Sequence, residues 1–348
     1  MAPNKTLVYN KMPEGIPVPG EHLIVEERTI DLDAAPPAGG LIVEILNASY
    51  DPYLRNLMRP GVGKKFYAAM LQPGDPVRNG TISRVLKSDS PDFQPGDIIS
   101  ASLPIAQYAV VPDPQAVRAR KLHNPHNLDL GLFLGPLGMP GLTAWAGLHK
   151  IGKPKAGETI FISSAAGAVG QCVGAIAKRE GLRVVGSVGS DEKLKFITEE
   201  LGFDAGFNYK KESVFDAVPR LCPDGIDIYW ENVGGDHFEA ALSNLNHGGR
   251  VPLCGMIEDY NLPREKQKGV RGLLAAIYTG ATIQGFLVGS PEFGPVYYKE
   301  HQEKMQEWLA DGSFKAKLDI TEGIDKAAEG FSAMFKGENL GKALLKIQ

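Results

Sequence analysis

Short apolar runs, broken by Gly, Pro and polar residues, fill the first third of the chain. Leu23–Glu26, Gly40–Leu46, Gly80–Val85 and Tyr108–Val111 read as strands, and the turn residues between them predict a β-barrel-like domain. Asn47–Met58 carries a hydrophobic strand into a polar, aromatic loop. That loop reads either as the wall of a pocket or as a connecting turn capped by Asp51. Near residue 130 the pattern turns helical, with a Pro–Gly breaker pair in Leu137–Trp145 ahead of a helical run.

From there strands and helices alternate. Ile160–Ile162 is a strand-sized apolar run, Ser163–Gly167 a turn of small residues, and Val169–Arg179 a helix rich in Ala, Val and Ile. Leu182–Val188 follows as a second strand, and Ser190 is placed to cap a helix over Asp191–Gly202. Later strands are expected at Gly225–Trp230, Gly249–Cys254 and Ala281–Val288, and later helices at Asp236–Asn244 and Glu300–Ala310. Alternation of this kind implies a parallel sheet. After Asp311–Gly312 the tail offers a strand, a helix over Asp325–Phe335 and a strand over Lys342–Ile347. This tail is expected to return to the first domain. The predicted domains are therefore 1–130 with 312–348, and 131–311.

Strand, small-residue turn and helix make the phosphate-binding unit of a doubly wound nucleotide domain. Relative to G-x-G-x-x-G, Ala165 replaces the first glycine, while Gly167 and Gly170 keep the other two places. With little bulk in the turn, backbone N–H groups of Gly167, Ala168, Val169 and Gly170 can approach a pyrophosphate. The helix N-terminus adds roughly half a positive charge.

Composition narrows the class. At 348 residues the chain has room for two domains, and 43% hydrophobic with 22% charged residues describes a water-soluble globular protein. A net charge of −4 gives no footprint for nucleic acid. The apolar runs are too short to cross a membrane, and the N-terminus leads into no signal-peptide segment. Cys172, Cys222 and Cys254 read as reduced residues of a cytoplasmic protein.

The strings LGMPGLTAW (137–145), AAGAVG (165–170), GSDEK (189–193), FNYK (207–210), ENVGG (231–235), CGMI (254–257) and GENLGKALLKI (337–347) span nearly the whole chain. Together they resemble the zinc-independent medium-chain dehydrogenase/reductases, and within them the alkenal double-bond reductase, or prostaglandin reductase, branch. The resemblance implies a chaperonin-10-like β-barrel catalytic domain and a Rossmann nucleotide-binding domain. It also implies a homodimer and NADPH-dependent reduction of a carbon–carbon double bond conjugated to a carbonyl. By resemblance, Lys193 and Tyr209 contact the 2′-phosphate of the cofactor. Asn232, Cys254, Gly255, Phe286, Leu287, Val288 and Asn339 match its nicotinamide, ribose and diphosphate contacts. Taken singly, Cys254 and Phe286 could be core residues, and Asn232 and Asn339 turn residues.

The residues speak to metal and cofactor directly. No cysteine precedes Cys172, and His22, His123 and His126 have no partners at a metal-ligand spacing, so no metal is expected. An NAD-specific domain places an acid at the end of its second strand. Here that strand ends in Gly186–Ser190, and Asp191 and Glu192 fall in the helix start, where they complement its dipole. This favours NADPH. In the implied reaction charge builds on the substrate carbonyl oxygen, and Tyr260 is the first candidate for a donor there. Tyr53 is the second, with a role as a pocket wall. Glu258 and Asp259, just before Tyr260, either disfavour anionic substrates or face solvent. Quinone reduction, zinc-free alcohol dehydrogenation and non-catalytic NADPH binding are the alternatives.

Overall fold

The computed structural model describes residues 1–59 and 69–347. The chain divides into two compact units, Met1–Leu134 with the chain from Leu318 on, and Gly135–Lys317.

The first unit opens with β1 (Ala2–Tyr9) and β2 (Leu23–Ile30), an antiparallel ribbon. β3 (Leu41–Ser49), β4 (Arg78–Ser88), β5 (Ile98–Pro104), β6 (Tyr108–Val111) and β7 (Arg120–Lys121) follow, all antiparallel to their neighbours. Along β3, Leu41, Val43 and Ile45 belong to the core at period-two spacing, with Glu44 and Leu46 less buried and Ile42 also buried. Leu7, Leu23, Leu54, Ile99 and Phe331 complete that core. A 3₁₀ helix, Pro52–Met58, leaves the end of β3, with its proline in the first turn where a missing N–H costs nothing.

The second unit holds α1 (Met139–Gly147), β8 (Thr159–Ile162), α2 (Ala168–Arg179), β9 (Arg183–Val188), α3 (Asp191–Lys195), β10 (Ala205–Asn208), α4 (Val214–Leu221), β11 (Ile226–Trp230), α5 (Gly235–Ser243), β12 (Leu245–Leu253), α6 (Ile257–Tyr260), α7 (Leu274–Thr279), β13 (Thr282–Gly285) and α8 (Gly294–Ala310). Its sheet runs β10-β9-β8-β11-β12-β13, every pair parallel. Numbered from β8, that order is 3-2-1-4-5-6, the doubly wound order whose crevice opens between the first and fourth strands, here β8 and β11. The chain then returns to the first unit with β14 (Leu318–Glu322), α9 (Ala327–Lys336) and β15 (Lys342–Lys346), and β15 pairs with β3.

Several boundaries differ from the sequence reading, among them the start of β12 at Leu245 rather than Gly249. β13 ends at Gly285 rather than Val288, because the carbonyls of Leu287 and Val288 turn to accept from Ser290 and Gly294. α8 begins at Gly294, well before Glu300, since Pro295 fits its first turn. The helix from Asp191 is regular only to Lys195 and widens over Phe196–Glu200 before Gly202 reverses the chain at φ +70°.

Candidate active site

The turn after β8 is shaped by close approach. Ser164 sits in the left-handed region at φ 51°, and its carbonyl accepts from Gly167 N–H at 3.0 Å. A Cβ at Gly170 would lie 2.4 Å from the Ser164 carbonyl oxygen and 2.8 Å from Ala165 Cα, so only glycine lets α2 begin this close to the strand. The same demand recurs deeper in the helix, where a Cβ at Gly174 would overlap the Phe203 ring at 2.1 Å. Gly167, Ala168 and Val169 remain partly open to solvent at the helix N-terminus, while Gly170 is buried. Backbone donors and the helix dipole thus meet at one place an anion can reach.

Next along the sheet, β9 ends beside Ser190, whose hydroxyl caps α3 by accepting from Lys193 N–H at 3.2 Å. Tyr209 follows β10, the neighbour of β9, and a Cβ at Gly189 would lie 3.1 Å from its hydroxyl oxygen. Ser190, Lys193 and Tyr209 therefore share the ends of two adjacent strands. The Tyr209 ring meets the buried His237 ring edge-on, with centroids 5.3 Å apart. Asp191, the acid nearest the strand end, is engaged elsewhere. Lys211 pairs with its carboxylate and Asn208 donates to it at 2.9 Å, and together these hold it below its usual range.

At the crevice a buried polar cluster, absent from the sequence reading, ties β8 to β11. Asn232 donates from Nδ2 to the Ser163 carbonyl at 2.7 Å and accepts from Trp230 Nε1 at 3.1 Å. Ser163 Oγ accepts from Asn232 N–H at 2.9 Å. Glu231, fully buried, receives the N–H groups of Val233 at 2.6 Å and Gly234 at 2.9 Å on Oε1, while Oε2 has no hydrogen-bond partner. Burial pushes its carboxyl up to about 7 against the pull of those N–H groups. The available signal was an acid directly after the predicted strand ending at Trp230. Asn232 thus spends most of its side chain on the fold.

The N–H groups of Cys254 and Gly255 both donate to the Glu231 carbonyl, at 3.0 and 3.1 Å. A Cβ at Gly255 would lie 3.2 Å from the Tyr260 hydroxyl oxygen and 3.8 Å from the Asn232 carbonyl oxygen. The structure thus brings Asn232, Cys254, Gly255 and Tyr260 to the carboxyl ends of β11 and β12. Burial and the nearby Glu231 carboxylate push the Cys254 thiol up to about 12, so it is neutral at physiological pH and no nucleophile. Glu258 neither stands bare nor simply faces solvent. Lys268 pairs with it and with Asp236, both at 3.3 Å.

Phe286 stacks on Phe293 at 5.0 Å and meets Trp230 edge-on at 6.1 Å, so its ring belongs to packing. Leu287 is exposed, and the Val288 carbonyl is taken by Gly294 N–H at 2.8 Å. Tyr53 and Asn339 lie in the first unit and the other predicted residues in the second. Asn339 donates to the Gly341 carbonyl at 2.9 Å, a turn-stabilising bond. Asp51 stands at the N-cap of the Pro52–Met58 helix, but its side chain makes no cap bond. Instead its carboxylate is buried and accepts from Lys342, Ser49 and Asn79. Among the described residues, no group of three or more His, Cys, Asp or Glu side chains is arranged to hold a metal ion.

Sheet order and turn geometry define a dinucleotide-binding protein of the Rossmann type carrying a second, mostly antiparallel unit. A family model described as zinc-binding dehydrogenase matches residues 168–309, and one described as the N-terminal domain of oxidoreductase matches 5–119. The chain is 47% identical over its whole length to an NADP-dependent oxidoreductase, RED1, of Cochliobolus heterostrophus, and covers 98% of that protein. It is 36% identical over 99% of its length to a 2-alkenal reductase (NADP(+)-dependent) of Nicotiana tabacum, covering 97% of it. The crystal structure of CurA from Vibrio vulnificus in complex with NADPH superposes with a TM-score of 0.87 at 31% identity, covering 99% of both chains. The chain belongs to the medium-chain dehydrogenase/reductase family.

Proposed function

We propose that this protein is an NADPH-dependent reductase of the carbon–carbon double bond in α,β-unsaturated ketones and aldehydes. The residues present fit the dinucleotide. Gly170 has no room for a side chain, Gly167–Val169 offer open backbone donors at a helix N-terminus, and Asp191 is already neutralised by Lys211. Lys193 and Tyr209, side by side with Ser190, hold the 2′-phosphate that distinguishes NADPH from NADH. When bound, the cofactor supplies a hydride to the β-carbon.

The carrying observation for the reaction is the Tyr260 hydroxyl poised over Gly255 at the carboxyl end of β12, where open α/β sheets take their ligands. A phenol there donates to the substrate carbonyl oxygen as that oxygen gains charge, so it stabilises the transition state more than the ground state. The 36% identity to a tobacco 2-alkenal reductase supports this choice of substrate class. The test follows NADPH absorbance with an enal, a quinone and an alkanal and then identifies the product. A saturated carbonyl from the enal is expected, with activity surviving chelation. Oxidation of NADPH by the quinone or alkanal but not by the enal overturns the reading.

A homodimer and a cytoplasmic location belong to the same reading. The outer edge of β13 faces no strand among the described residues, and Leu274, Ile277 and Tyr278 on α7 are 56, 74 and 75% exposed, an apolar face a second copy would cover. Three free cysteines suit a reducing compartment.

A further inference from the structure

Three neighbouring strands of the parallel sheet end in a polar row. In register, Gly186 of β9 pairs with Ile162 of β8, and Ile162 with Trp230 of β11. The next residues along the three strands are Ser187, Ser163 and Glu231, and all are buried. Tyr229, two residues before Glu231, lies on the same face of the sheet, and its phenol and the Glu231 carboxyl act on each other's titration. Ser163 Oγ reaches Glu231 Oε1 at 3.3 Å and the Trp230 carbonyl at 3.2 Å. Ser187 Oγ, Tyr229 Oη and Glu231 Oε2 have no hydrogen-bond partner.

No countercharge serves this carboxyl. Burial is the largest influence on its titration and opposes the charged form; the N–H groups of Gly234 and Val233, then Tyr229 and Ser163, favour it. Among the described residues, no cation acts on it. Its titratable neighbours are neutral at physiological pH, since burial raises the Tyr229 phenol and the Cys254 thiol and lowers the His237 imidazole on α5 to about 4. Asp236 and Glu258, in the first turns of α5 and α6, are paired with Lys268. Oε1 is committed to N–H donors, so a proton on Glu231 resides on Oε2.

The row also adjoins the glycine turn. Ser163 leads directly into Ser164, whose carbonyl accepts from Gly167 N–H. A pyrophosphate at that turn places negative charge near a buried carboxyl that has no cation, and this favours the protonated carboxyl. We infer that Glu231 links cofactor binding to a proton: NADPH binds tightly with Glu231 protonated and more weakly once that proton is lost, so binding draws a proton from solvent. The inference rests on the proposed seat of the pyrophosphate at Gly167–Gly170 and is independent of the substrate.

The test measures NADPH and NADH dissociation constants across neutral and alkaline pH for wild type and Glu231→Gln. Calorimetry in two buffers of different ionisation enthalpy counts the protons. If the pyrophosphate raises the carboxyl by about one pKa unit, wild type should lose about tenfold in affinity as pH rises, relative to the variant. It should take up about half a proton near the midpoint of that change. Glu231→Gln, uncharged at every pH, should bind about tenfold more tightly than wild type at the alkaline end. A merely loosened fold would bind more weakly throughout. The 2′-phosphate of NADPH titrates as well, but equally in both proteins, and NADH lacks it. Should Glu231→Gln not fold, infrared difference spectra of wild type labelled with ¹³C-glutamate decide, since an isotope-sensitive protonated-carboxyl band must grow when NADPH is added. Absence of that band, equal pH profiles in the two proteins, or no proton uptake overturns the inference and leaves NADPH binding standing. If wild type does not bind NADPH at any pH, both fall.

Discussion

At the end of β8 the backbone makes the site. Gly170 is required because any side chain would strike the Ser164 carbonyl, and the donors on offer are main-chain N–H groups. At the end of β3 side chains make it. Ser49, Asn79 and Lys342 on three strands, with Asp51 just beyond β3, fix the polarity of one tyrosine hydroxyl. A backbone site tolerates many side-chain changes and fails at one or two glycines. A side-chain site depends on each member, because removing one leaves its partner buried and unpaired.

The largest expected effect comes from breaking the second kind of site at its charge. Lys342→Met removes the ammonium and strands the Asp51 carboxylate, which is only 7% exposed. Loss of one partner of a buried ion pair costs about 3–5 kcal/mol, so denaturant unfolding should show a drop of that order. Lys342→Met with Asp51→Leu should recover part of the loss, because no charge is then stranded. A single-variant loss below about 1 kcal/mol, as for a solvent-exposed pair, would mean the corner is not built on this pair.

Glu231 sharpens the contrast, since it is a side chain in the service of backbone. Its carboxyl titrates at about 7 in the fold against an ordinary 4.5. A raised folded value means that the contribution to stability is full below the unfolded pKa and is lost as pH rises through the folded one. Glu231→Gln keeps an oxygen for Val233 and Gly234 and deletes the titration. The stability of the variant minus that of wild type should therefore climb by about 3 kcal/mol between pH 4.5 and about pH 8. Unfolding curves across that range check it, and a flat difference would show that Glu231 does not titrate from within the fold.

These two clusters also show what a sequence reveals. The glycine turn was legible because its cause is local, with strand, small residues and helix adjacent in the chain. The parallel sheet was legible for the same reason. Lys342 reaching Asp51 was not, because a separation of 291 residues hides a contact set by β15 pairing with β3. A polar residue within the apolar run Lys342–Leu345 was the one local sign. Asp51 read as the cap of a connecting turn, and it does precede the Pro52–Met58 helix, but its side chain is taken by Lys342, Ser49 and Asn79. Phe286–Val288 matched a family pattern, yet the turn that ends β13 depends on the N–H groups of Ser290 and Gly294 donating back to the Leu287 and Val288 carbonyls.

Tyr260→Phe tests the donor role proposed for that hydroxyl. The fold should persist, as the ring stays and only the hydroxyl beside Gly255 is lost. Removing one oxyanion donor costs about 10²–10³-fold in an enclosed site. Tyr260 is partly exposed, so a loss of roughly 10–100-fold in kcat is expected, with NADPH affinity unchanged. Tyr53→Phe measured alongside should leave kcat for a simple enal near wild type, because its proton already belongs to Asn79. The reverse pattern would exchange the roles of the two tyrosines.

The smallest effect probes the edge of the backbone-built site, at one of the two side chains proposed to add specificity. Lys193 stands in the first turn of α3, beside the Ser190 cap and near Tyr209, with Asp191 already tied to Lys211 and Asn208. A 2′-phosphate arriving there meets a cation, whereas the bare hydroxyl of NADH does not. One charge-assisted hydrogen bond is worth roughly 1.5–3 kcal/mol, and water competes at this partly open position, so the lower end applies. Lys193→Ala should weaken NADPH binding about tenfold and leave NADH binding unchanged, as read by separate titrations. If the backbone at Gly167–Gly170 holds the pyrophosphate as proposed, the variant keeps the rest of its affinity. An equal loss for both cofactors would mean that Lys193 acts through the turn and not on the phosphate. The division between a backbone that binds and side chains that discriminate would then fail at this strand.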